Sequence, residues 1–252
     1  MKISAELPLS ILGKCTSDID YDFIIASHCI NHPKYLEFYT LLKERNEVLP
    51  SKASRFSILD NGAFEEGKAI DSAKYRDLIQ QLNPNVIVLP DVVNDKQATI
   101  DAVNKFLDEF GDILKSFSWM GVLQGETYKD YMECYEFYSP FEDVHLIGIP
   151  YHRFYRPKLI NDLKLNELGE DAGLYFHALG LPNPFELREL RKFSAMHSVD
   201  TSLPVTSGKC LMNFEDFNWQ KTKLDMNDVF DDNQLEIIKK NINFLKHLIT
   251  KA

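Results

Sequence analysis

Long apolar runs are missing from this chain of 252 residues: none approaches the ~18 residues of a membrane span. Cysteine is scarce and scattered. Cys15, Cys29, Cys134 and Cys210 show no C-x-x-C spacing, which argues against a disulfide framework and against a cysteine-rich zinc site. No Gly-x-Gly-x-x-Gly follows any apolar run, so the mark of a dinucleotide fold is absent. Positive charge is short as well. With 28 Lys and Arg against 38 Asp and Glu the formal charge is −10, which counts against a nucleic-acid partner because phosphate neutralisation leaves a basic footprint. The stretch Met1 to Leu12 has one Lys and an acidic Glu6 in place of a signal peptide's basic region, apolar core and cleavage site. The expected location is the cytoplasm.

What is present is an alternation of short apolar runs with amphipathic segments. Strands are predicted at Ile3 to Leu7, Phe23 to Ser27, Phe56 to Leu59, Val86 to Leu89, Trp119 to Leu123, Val144 to Ile149, Leu174 to Leu179 and Met196 to Val199. Helical faces are predicted from Tyr75, Leu78, Ile79 and Leu82, from Ile100, Val103, Leu107 and Phe110, and from Leu235, Ile238, Ile242, Leu245 and Ile249. Helix starts are signalled by Thr127 with Asp130, by Asn94 with Gln97, and by Asn183-Pro184 with Glu186. Eight strands with intervening helices predict an α/β fold of the (β/α)8 TIM-barrel class, one domain over residues 1–252; an open doubly wound sheet is the runner-up. Gly208 to Asp232 is acidic, aromatic and irregular, and periodicity assigns it no element.

Within Ser198 to Val205, a carboxylate, Asp200, ends the last strand and is followed by Thr201, Ser202, Leu203 and Pro204. Alone, such an aspartate would more readily start a turn or cap the loop. But Asp60 and Asp91 also follow apolar runs, as does Gln124-Gly125, and in a barrel the carboxyl ends of strands converge on one mouth. Asp60, Asp91, Gln124, Gly148, His177 and Asp200 are therefore expected together. Paired carboxylates suit displacement at an anomeric carbon, where an oxocarbenium-like centre needs an anion on one face and an acid at the departing group.

Other candidates carry less. Arg153, Arg156, Lys158 and Lys164 interleave with Tyr151, Phe154 and Tyr155, either a basic patch for nucleic acid or a solvated loop and helix. His28, His32 and His177, or His145 and His152, lack metal-ligand spacing, and no metal is expected. Trp119 and Trp219 read as packing residues.

Six segments also occur in a telling order: Asp60-Asn61-Gly62-Ala63-Phe64, Pro90-Asp91-Val92, Val122-Leu123-Gln124-Gly125, Leu146-Ile147-Gly148-Ile149, His177-Ala178-Leu179-Gly180-Leu181-Pro182, and Val199-Asp200-Thr201-Ser202-Leu203-Pro204. From Phe56 to Thr206 the chain resembles the tRNA-guanine transglycosylase superfamily. It is most similar to the short phage and bacterial members associated with 7-deazaguanine in DNA, so the expected cytoplasm is that of a bacterium or a phage-infected host.

The resemblance implies that Asp200 is a nucleophile attacking C1′ of a target guanosine and that Asp60 is the general acid and base. It implies that Asp91 reads the N1 and 2-amino edge of a guanine-like base, with Gln124, Gly125 and the backbone around Gly148 on its other edge. Asn61, Phe64 and His177 are expected at the substrate too. The implied reaction exchanges guanine in a polynucleotide for a base such as 7-cyano-7-deazaguanine, with no cofactor. DNA is the preferred polymer over tRNA, with a homodimer or an accessory protein as further partners. Departures are Asn61 for Ser, Ala63 for Gly, Val205 and Thr206 where an arginine usually follows, and no Cys and His zinc set. Two alternatives stay open: a hydrolase that frees a deazaguanine base from a nucleoside or nucleotide, and a noncatalytic nucleic-acid-binding subunit.

Overall fold

The computed structural model describes residues 1–48, 55–151 and 153–250. Eight parallel strands form one sheet: β1 (Lys2–Ile3), β2 (Asp22–Ile25), β3 (Ser57–Asp60), β4 (Val86–Val88), β5 (Ser118–Val122), β6 (Val144–Pro150), β7 (Tyr175–Leu179) and β8 (Met196–Val199). All eight predicted strands are present. The order runs β1-β8-β7-β6-β5-β4-β3-β2, which leaves β1 and β2 at the two ends. These ends meet. Asp20 N donates to Ile3 O at 2.8 Å, Ile3 N donates to Asp20 Oδ2 at 2.9 Å, and Phe23 N donates to Ser4 Oγ at 3.2 Å. The sheet thus curls round on itself as a TIM-like (β/α)8 barrel.

Apolar residues fill both sides of the wall because parallel strands are covered on both faces. Phe23, Ile25, Ile58, Val88, Met120, Val122 and Leu146 pack together inside the barrel, and a larger cluster lies between the strands and the outer helices. Helix Ser72–Leu82 buries Tyr75, Leu78, Ile79 and Leu82 as the periodicity predicts. Helix Lys96–Leu114 turns its buried face to Thr99, Val103 and Phe106, leaving Leu107 and Phe110 partly buried. Helix Asp232–Thr250 buries Ile238, Ile242 and Leu245. No helix among the described residues is long and apolar enough to cross a membrane.

One helix-to-strand contact positions the site directly. The buried Tyr75 hydroxyl sits 2.8 Å from both Leu59 O and Val88 O, bridging the strands that lead to Asp60 and Asp91.

The helix starts divide. Thr127 and Asp130 form the reciprocal capping box. Helix Lys96–Leu114 is capped by Asp95 in place of Asn94, which adopts a left-handed conformation (φ 63°) and aims its N–H at Gln124 Oε1, 2.9 Å away. Asn183 accepts from Phe185 N and Glu186 N, but the helix begins later, at Glu186–Leu190, and Glu186 is buried instead of standing at a cap. The segment without predicted elements holds the end of helix Leu203–Lys209 and one 3-10 turn, Phe214–Asp216.

Candidate active site

At the carboxyl end of the barrel a cleft of about 120 Å³ is lined by Glu6, Phe23, Asp60, Phe64, Glu65, Asp91, Gln124, Tyr151, Gly180, Asp200, Ser202 and Lys221, among others. One water needs roughly 10–15 Å³ by the same measure, so the space suits a small molecule or a group of one. The strand ends deliver these residues. Successive side chains of a strand alternate between faces, so Asp60 continues the inward row of Ile58 and ends it with a carboxylate.

Asp60 is held by its own loop. Gly62, at φ 76°, turns its N–H onto Asp60 Oδ2 at 2.8 Å. Burial, then the neighbouring charges of Glu65 and Asp91 and, less, Asp200, pushes the Asp60 carboxyl well above the usual carboxylate range, which favours the protonated form. Glu65, on the exposed cleft rim, is pushed up to about 7 by burial of its carboxyl and by Glu6. Glu6 itself lies 2.9 Å from His28 Nε2.

Asp91 is buried and engaged at both oxygens. Asn61 Nδ2 donates to Oδ1 at 2.7 Å and Gln124 Nε2 donates to Oδ2 at 2.5 Å. Burial raises its pKa while these two amides oppose the rise. Asn61 is fully buried and bound on every side, since its Nδ2 also reaches Leu89 O and its Oδ1 accepts from Ala63 N. It lies outside the cleft lining, and through Asp91 it is joined to the residues that line it.

Asp200 follows β8 and accepts from His177 Nε2 and Gly180 N, both at 3.1 Å and both on Oδ1. Among the described residues, Oδ2 accepts no hydrogen bond, which leaves one carboxylate oxygen for a substrate. His177 is fully buried, stacked against Phe23 with ring centroids 5.3 Å apart, and its Nδ1 sits 2.8 Å from Ser198 Oγ. It does not line the cleft; it stands behind Asp200.

Phe64 stands at the mouth, 60% exposed, with its ring centroid 6.5 Å from that of Tyr151. The two expected glycines shape walls and do not line the space. Gly125, at φ 140°, passes so close to Asp130 that a Cβ would come within 2.2 Å of that residue's Cβ. A Cβ on Gly148 would meet Leu179 at 3.0 Å and Val122 at 3.4 Å, both cleft residues.

The basic patch divides. Arg156 is fully buried: it pairs with Glu186 at 2.7 Å and donates to Ile149 O, Leu179 O and Gly180 O. It is a clamp between β6 and β7, and burial removes it from any polymer surface. Arg153 and Lys158 are exposed, near Glu126 and Asp162 respectively. Among the described residues no group of three His, Cys, Asp or Glu is placed to hold a metal ion; His152 lies outside those residues.

Glu6, Phe23, Glu65, Tyr151 and Lys221 line the cleft without having been singled out as site residues. For Glu6 a signal existed, since it lies at the end of the first apolar run, as Asp60 and Asp91 follow theirs. No protein-family model matches the chain, and no curated protein matches it.

Proposed function

We propose that the cleft performs base exchange: guanine in a polynucleotide is replaced by a 7-deazaguanine derivative through a covalent intermediate on Asp200. The observation that carries this is the contrast between two carboxylates of one cleft. The Asp60 pKa is raised by burial and by Glu65 and Asp91, which favours its protonated form, while Asp200 has Oδ1 fixed by two donors and Oδ2 open. That is the division of labour displacement at C1′ requires.

In the first half, Asp200 Oδ2 forms a bond to C1′ as the C1′–N9 bond breaks, and the base departs with the bonding pair and the Asp60 proton. In the second half, Asp60 takes the proton from N9 of the incoming base, N9 attacks C1′, and Asp200 leaves as a carboxylate. Asp91 accepts from the N1–H and 2-amino group, whose donors favour its ionised form alongside Asn61 and Gln124. Gln124 Oε1, held by Asn94 N, fixes which end of that amide faces Asp91. The target nucleotide is unstacked to enter, and DNA is the polymer in this reading.

The test is an acid-quenched incubation of the protein with a guanine-containing oligodeoxynucleotide and no incoming base, read by intact mass. A protein–oligonucleotide adduct that maps to Asp200 and is dissolved by added guanine supports exchange. Steady release of base into water, without rescue by added guanine, would make the protein a hydrolase instead.

A further inference from the structure

The segment between helix Leu203–Lys209 and helix Asp232–Thr250 has no counterpart in the strand–helix repeat, yet it is firmly attached. Gln220 N donates to Ser207 Oγ at 3.1 Å, and Thr206 Oγ1 donates to Gln220 O at 3.0 Å. Leu9 N donates to Met226 O at 3.0 Å, and Lys209 pairs with Asp228 at 2.6 Å. It therefore straps the loop after β1 to the element after β8. Of all its residues, only Lys221 lines the cleft.

Lys221 is placed with care. Its Nζ lies 3.8 Å from the centroid of the Tyr151 ring and 3.3 Å from Leu181 O. An ammonium has three donors, and a ring face and one carbonyl leave one hydrogen for another acceptor. Among the described cleft-lining residues it is the only Lys or Arg, and it shares the lining with Glu6, Asp60, Glu65, Asp91 and Asp200. A lining of acidic side chains offers a phosphate no other cationic partner, so a substrate phosphate is met where the cation is, at exposed Lys221.

We propose that Lys221 is the phosphate-binding residue of this cleft. It takes the backbone phosphate next to the target nucleotide and so selects nucleotides held in a phosphodiester chain over free nucleosides. This rests on the base-exchange reading above.

The test is equilibrium binding of a fluorescent single-stranded oligodeoxynucleotide containing one guanine, across roughly 50–200 mM salt, with 2′-deoxyguanosine as the phosphate-free arm. One phosphate contact on a single strand contributes about 0.7 to the slope of log K against log salt. Lys221→Gln is expected to flatten the slope by about that amount and to weaken the oligonucleotide about 10-fold or more at the low-salt end, with little change for the nucleoside. Equal slopes for wild type and variant overturn the assignment of Lys221 and leave base exchange standing. A wild-type protein that binds the nucleoside but no oligonucleotide overturns the polymer reading itself, and the Lys221 proposal with it.

Discussion

His177 Nε2 lies 3.1 Å from Asp200 Oδ1, and on the far side of the same ring Nδ1 lies 2.8 Å from Ser198 Oγ. With Nε2 donating to the carboxylate and Nδ1 accepting from the hydroxyl, one ring satisfies both contacts. The ring cannot tilt away, because it is buried against Phe23. Asp200 is thereby fixed through one oxygen while the other is left open.

Removing that donor should cost catalysis more than binding. A hydrogen bond to a charged group is worth about 1.5–3 kcal/mol, so His177→Ala is expected to lower kcat by about 10- to 100-fold with KM for the base nearly unchanged. His177→Gln, which keeps an N–H donor, should recover part of the loss. A rise in KM alone, equal in both variants, would show that the ring serves only packing.

Asp91 and Asp200 should separate in the same way. Asp200→Ala is expected to abolish exchange and to leave affinity for free guanine largely intact, whereas Asp91→Ala is expected to weaken guanine binding first. Isothermal titration with the free base reads the difference directly. Equal loss of affinity in both variants contradicts these roles.

Asp60 links the site to stability. Its folded-state pKa is raised, so the folded protein holds this proton more tightly than the unfolded chain. The associated stability is complete below the unfolded value near 3.9 and is lost as pH rises through the folded value. Asp60→Asn should therefore be inactive yet raise Tm at neutral pH, by about 2–4 °C for each kcal/mol recovered, with the gain shrinking toward pH 4. A Tm lowered equally at both pH values would mean that the carboxylate is structural.

Arg156 makes the opposite prediction. Truncation strands Glu186, a buried carboxylate, and frees three carbonyl oxygens at the ends of β6 and β7. Breaking such a buried pair costs about 3–5 kcal/mol, so Arg156→Ala should shift the urea midpoint strongly. An unchanged midpoint together with weaker oligonucleotide binding would return this residue to the surface role its neighbours in sequence suggest.

Much of the barrel was legible because its signals are local. Short apolar runs placed eight strands, and the four that end at Asp60, Asp91, Gln124 and Asp200 brought four residues to one cleft, since period and strand polarity are written in consecutive positions. Arg156 was misread because an arginine beside tyrosines looks exposed until its partner, 30 residues away, is known to fold over it. The burial of Asn61 behind the cleft was not legible, because its partner Asp91 stands on the neighbouring strand end, 30 residues away. Lys221 had no signal at all. It belongs to a segment without periodicity, and its place in the cleft is set by the hydrogen bonds of the preceding Gln220 to Ser207 and Thr206 and by its own contacts to Leu181 O and Tyr151.

The most direct test of base exchange is incubation with labelled guanine, and in parallel with 7-cyano-7-deazaguanine, against duplex DNA, single-stranded DNA and tRNA. The readout is label that becomes acid-precipitable. The account predicts incorporation into DNA that vanishes in Asp200→Ala. No incorporation into any polymer, with free base released from a deazaguanine nucleoside instead, would contradict it.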